Sequence, residues 1–153
     1  VKFVSNNPYR VVVTGRVKHF ISAFGEHVIG EEVERAMRAA MAQHPEVALV
    51  EFTVAPQVNP GVGLPHHEWL VEFARPPQDA AAFAAALDAA LRRRNSYYDD
   101  LITGSILQPL RLTALPKDAF RRHMQALGKL GGQNKVPRLA NDRTLADALR
   151  KLV

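Results

Sequence analysis

The sequence predicts an α+β domain: a mixed or antiparallel sheet of about four strands flanked by helices. Three observations lead there. β-Branched runs and apolar runs of helical spacing follow one another in the order strand, helix, strand, strand, helix, strand, which is a split βαβ arrangement. The strand runs are short and bounded by Gly, Pro and Asn. A chain of 153 residues, 47% hydrophobic and 23% charged, is large enough to bury a core without a metal or a disulfide.

The elements follow in order. Tyr9–Thr14 (YRVVVT) is β-branched, with Asn6, Asn7 and Pro8 before it and Gly15 after it, and His19–Ala23 continues as a second short strand. Gly30, Glu31 and Glu32 open a helix whose apolar positions are Val33, Met37, Ala40 and Met41, with the acids at the positive end of its dipole; His44-Pro45 ends it. Val47–Ala55 and Glu68–Ala74 read as strands joined by a long hairpin or meander loop rich in Pro and Gly. The alanine-rich run Gln78–Arg94 puts Phe83, Leu87, Ala90 and Leu91 on one helix face. Ile106–Ala114 reads as a strand interrupted by Pro109. Lys117–Leu127 is helical, Gly128–Asn134 is a glycine-rich loop, and Thr144–Leu152 is a closing helix capped by Asp142 or Thr144.

Charge is unevenly placed. The segment 109–153 holds ten Lys and Arg against three Asp and Glu, a net +7, so the first 108 residues carry −2 of the total +5. Such a basic third suits an anionic partner or a solvated surface. The chain has no cysteine, which excludes thiolate nucleophiles and Cys-based metal sites and fits a reducing, cytoplasmic setting. No run of 18 apolar residues suggests a membrane partner.

Candidate chemistry is sparse. His66, His67 and Glu68 are consecutive strand residues, so they project to alternate faces and make no metal site. Trp69, Val71 and Phe73 share a face and read as a core stripe, which speaks against a base-stacking, nucleic-acid-binding sheet. Arg92-Arg93-Arg94 complements a helix C-terminus. No GxSxG or phosphate-loop motif occurs. Two segments stand out: Thr14–Val28, which turns at Gly15 and Gly25, and Gly128–Arg138, a basic glycine-rich loop that reads either as a plain connector, which the local residues favour, or as a loop presenting Lys135 beside Arg138 to a transient anionic charge.

At residues 2–28 (KFVSNNPYRVVVTGRVKHFISAFGEHV), 66–73 (HHEWLVEF), 95–99 (NSYYD) and 131–143 (GGQNKVPRLANDR), the chain resembles the C-terminal domain of the auxin-responsive acyl-acid amido synthetase family. The resemblance is to bacterial members in particular, within the adenylate-forming superfamily. It implies activation of a carboxylic acid with ATP and Mg2+ as an acyl adenylate, with release of pyrophosphate, and transfer of the acyl group to an amine or amino acid. It further implies that Lys135 is the catalytic lysine and that Arg16 approaches the nucleotide ribose. Lys18 is then the hinge of domain rotation, and His27 stands where a basic residue often meets ATP phosphates. On this resemblance residues 1–8 are the end of a preceding domain or a linker, and 9–153 are a mobile domain. Its partner is an N-terminal adenylation domain, absent here, that holds most of the ATP and Mg2+ contacts. The alternatives are a ligand-binding regulatory α+β module and a nucleic-acid-binding domain.

Overall fold

The computed structural model describes residues 2–12, 20–129 and 135–153. Its centre is a three-stranded sheet of β5 (Ala48–Gln57), β6 (His66–Arg75) and β7 (Arg111–Leu115), in the order β5-β6-β7. β5 and β6 form the expected long hairpin, antiparallel, with Val54 opposite Trp69 and Phe52 opposite Val71. β7 lies parallel to β6, and the chain reaches it through α2 (Ala80–Arg92) and α3 (Ser96–Thr103). A fourth position is filled by one residue: Leu139 bridges to Val54 in parallel on the free edge of β5.

Sequence alternation on β6 sorts two layers. Trp69, Val71 and Phe73 face a core shared with α1 (Gly30–Gln43) and α2, as the stripe predicts, and the Trp69 ring stacks on Phe52. Phe83, Leu87, Ala90 and Leu91 of α2 are fully buried there, and Val33, Met37 and Ala40 come from α1. Fully burying a side chain such as Phe83 or Leu87 stabilises by about 2–3 kcal/mol. The opposite face carries Ala55 and Leu70 under α4 (Ala119–Ala126) and α5 (Thr144–Arg150), with Phe120, Ala146 and Leu149 filling the second core. The sheet is therefore flanked by helices on both faces.

The helix ends follow from local chemistry. Asp79 accepts the N–H groups of Ala81 and Ala82 at the start of α2, and Asp142 accepts that of Thr144 before α5. The Glu32 side chain takes the N–H of Ile29 ahead of α1. Arg94 donates to the carbonyl of Ala90 at the end of α2, a C-terminal role expected of that arginine run.

The N-terminal strands depart from the split βαβ expectation. Tyr9–Val12 is β2 and pairs with β1 (Lys2–Asn6) in a hairpin of its own instead of joining the main sheet. The expected strand at 19–23 is the two-residue β3 (Phe20–Ile21), paired with β4 (Val28–Ile29). The β7 strand starts only after Pro109, which has no N–H for a ladder; Leu107 and Leu110 are buried without joining the sheet.

Candidate functional site

Lys135 is exposed and opens a strap, residues 135–141, that runs along the free edge of β5. Among the described residues its ammonium has no hydrogen bond and no ion pair. The strap itself is tightly held. Thr53 donates its hydroxyl to the carbonyl of Pro137 at 2.8 Å, Val54 donates its N–H to Arg138, and Ala140 donates its N–H back to Val54, both at 3.0 Å. Val136 packs on the second core and Leu139 is buried in the first, so the strap is threaded between the two layers at the sheet edge.

Arg138 corrects an expectation. Its cation is not presented beside Lys135 to an incoming anion, because it is committed internally: it pairs with Glu34 of α1 at 3.2 Å and with Glu51 of β5, and it lies 4.8 Å over the Phe52 ring. The uneven charge is consumed in the same way elsewhere. Arg143 donates to Glu68 at 2.7 Å and Arg150 lies 3.5 Å from that carboxylate, so cations of the basic third neutralise acids of the first 108 residues. Burial works to raise the Glu68 pKa, but its bonds from Arg143 and Thr113 outweigh burial and hold it below the usual carboxylate value.

His27 is exposed, with its ring centroid 5.1 Å from that of Phe20, and its backbone has φ 45. The residue before it fixes this loop. Glu26 is fully buried and receives a 2.8 Å bond from Nε2 of His67, on the β6 face opposite that of His66 and Glu68, as their alternation predicts. Nδ1 of His67 is buried and has no hydrogen-bond partner among the described residues. Asn95, which N-caps α3, donates to the Glu26 carbonyl and to the Glu32 carboxylate. The loop of His27 and the strap of Lys135 meet through the Ser22 N–H and Asn141 Oδ1, 3.0 Å apart; no hydrogen bond or ion pair joins the two side chains themselves. Arg16 and Lys18, and the glycine-rich residues 130–134, lie outside the described residues.

Sequence reasoning missed the buried polar pairs. Tyr98 donates to Asp88 at 2.7 Å, and the Glu72 carboxylate accepts the N–H groups of Asp118 and Phe120 at the start of α4. Among the described residues no three His, Asp or Glu side chains gather as a metal site.

Comparison with known proteins places this architecture. The profile of the GH3 family C-terminal domain matches residues 31–144. The chain belongs to the GH3 family. That match contains Lys135 and the whole strap, while Arg16, Lys18 and His27 fall before it. Two solved structures share this GH3 domain fold. One, described as GH3.15 acyl acid amido synthetase, superposes with a TM-score of 0.73 at 16% identity, covering 91% of this chain and 27% of its own. The other, described as AtGH3.15 acyl acid amido synthetase in complex with 2,4-DB, has a TM-score of 0.69 at 17% identity, covering 91% and 26%. The GH3 domain here thus spans about a quarter of the length of those chains. No curated protein sequence matches it. The family resemblance read from residues 66–73 and 131–143 is borne out.

Proposed function

We propose that this domain works with an adenylation domain as an ATP-dependent acyl-acid amido synthetase, and that Lys135 is its catalytic cation. The observation that carries the reading is the contrast among the cations of the strap and just beyond it. Arg138 and Arg143 are consumed by internal carboxylates, while the Lys135 ammonium stands exposed with no counter-charge among the described residues.

ATP, as a substrate, supplies the adenylyl group and the pyrophosphate that leaves. A carboxylate oxygen attacking the α-phosphorus is opposed by the charge already there, and the P–O bond to pyrophosphate breaks as the new one forms. An ammonium brought to those oxygens offsets the repulsion most where charge builds up, and losing such a donor costs about 3–4 kcal/mol of barrier. The second step, attack of an amine or amino acid on the acyl carbonyl with loss of AMP, has no need of that cation at the phosphate. Rotation of the domain about Lys18 would withdraw Lys135 and admit the amine. Arg16 and His27 are proposed to meet the ribose and the phosphates; His27 is suited to this by its exposure and by the Glu26 anchor beside it. Lys135 fits a phosphate or carboxylate oxygen. The described residues offer Mg2+ no acidic cluster, so the adenylation domain is proposed to hold it. No membrane or nucleic-acid partner enters this reading, and its setting is cytoplasmic.

The test uses the protein that carries both domains and a panel of carboxylic acids, 2,4-DB included, read as pyrophosphate release. Lys135→Ala should abolish adenylate formation and spare amide formation from supplied acyl adenylate. Equal loss of both half-reactions would show that Lys135 has another role.

A further inference from the structure

We infer that Arg138 is a positioning residue that holds Lys135 in register for the first half-reaction, an inference that rests on the reading of Lys135 above. A catalytic ammonium has to be placed within about half an ångström of its working position, and the supporting contacts must come from neighbours that are themselves locked. The Lys135 side chain has no partner of its own among the described residues. Its placement therefore depends on the backbone that leads out of it, and three residues later that backbone meets its strongest restraint.

Arg138 clasps the strap to two different elements at once. Its Nε donates to Glu34 on α1 at 3.2 Å, and its Nη1 donates to Glu51 on β5 and, at 3.3 Å, to the carbonyl of Phe52. The guanidinium lies over the Phe52 ring, which also stacks with Trp69 in the main core. The backbone of the same residue accepts from Val54, and Pro137 accepts from Thr53. A planar fork can reach both carboxylates and stack on a ring; an ammonium at the same place can serve one of them. The clasp fixes the strap against α1 and β5 together, so the position of Lys135 is set relative to the whole domain and not to one strand.

The test compares Arg138→Gln and Arg138→Lys with Lys135→Ala in the two-domain protein, using the acid of the panel above that releases pyrophosphate fastest, together with its synthetic acyl adenylate. Arg138→Gln should lower kcat of adenylate formation about 100-fold, the loss typical of an ångström of misplacement, with the KM for ATP unchanged. Amide formation from the supplied adenylate should stay within about twofold, a split that a mere loss of folded protein would not produce. Arg138→Lys should fall between, about tenfold down, since one contact survives. In the 153-residue chain, Arg138→Gln should also speed hydrogen exchange at the Val54 and Ala140 amides about tenfold. If Arg138→Gln does not fold, Glu51→Gln, which keeps Arg138 and Glu34, should give the same split at smaller size. Adenylate formation untouched in Arg138→Gln, or both half-reactions lowered alike, would overturn the positioning role even where Lys135→Ala is inactive. An active Lys135→Ala would instead overturn the function proposed for the lysine.

Discussion

Nε2 of His67 and Oε1 of Glu26 lie 2.8 Å apart with neither side chain exposed, joining the middle of the sheet to the loop that carries His27. The second oxygen of Glu26 accepts the N–H of Phe24, so one carboxylate satisfies a buried and a half-buried donor. Glu26→Ala leaves both unpaired and should cost about 3 kcal/mol, whereas Glu26→Gln keeps an acceptor and should cost about half as much. Urea unfolding of the two variants measures this. A Glu26→Ala loss under about 1 kcal/mol would mean that other contacts hold the loop.

The acid side of the stability profile follows from three groups. Burial works to raise the pKa of Glu26 and of Glu68, but the bond from His67 in one case and from Arg143 in the other leaves both below their usual 4.5. Their stabilisation is therefore complete above pH 4.5 and is lost as pH falls through the depressed folded values. Burial also lowers His66 from its usual 6.5, which takes away stability in the same direction, starting at higher pH. The melting temperature should begin to sag below about pH 6.5 and fall steeply below about pH 4.5. Glu68→Gln should be less stable at pH 7 and show a shallower acid slope; a slope identical to that of the parent would remove Glu68 from this account.

Tyr98 makes an alkaline prediction. Burial, then the charge of Asp88 and the hydrogen bond to it, push its hydroxyl far above the ordinary phenol range. In a spectrophotometric titration one of the three tyrosines should stay protonated until the chain unfolds. Tyr98→Phe leaves Asp88, among the described residues, with the Leu110 N–H alone and should cost about 2 kcal/mol; a smaller cost, with all three tyrosines titrating in the folded chain, would contradict the buried pair.

The strap separates chemistry from stability. Lys135 is exposed with no partner among the described residues, so Lys135→Ala should change unfolding free energy by less than about 0.5 kcal/mol. Leu139, four residues on, is fully buried, and Leu139→Ala should cost about 3 kcal/mol. Differential scanning calorimetry on the pair would expose the error if Lys135→Ala were the more damaging of the two.

What the sequence made legible is what repeats with a period. The face of Phe83, Leu87, Ala90 and Leu91 and the stripe of Trp69, Val71 and Phe73 read correctly because one spacing holds across each element. The helix α3 did not, because Tyr97-Tyr98-Asp99-Asp100 favours no helix and eight residues show little periodicity; Asn95 before it and Gly104 after it were the available signals. The polar alternation of Glu68 and Glu72 suggests a wet face, yet α4 and α5 cover it and both carboxylates are buried. At the candidate site the motif singled out Lys135, but the internal pairing of Arg138 was not legible. Its counter-charges Glu34 and Glu51 stand 104 and 87 residues away, and no local pattern encodes a pairing at that separation.

The bridge between Leu139 and Val54 also restricts how the domain can move. Peeling the strap from β5 to carry the ammonium elsewhere would strand the N–H and C=O of Val54 in a buried setting, a penalty of about 1–3 kcal/mol for each. Travel by local unzipping is thereby disfavoured, and on the proposed two-step reading the lysine and the sheet would swing as one rigid paddle.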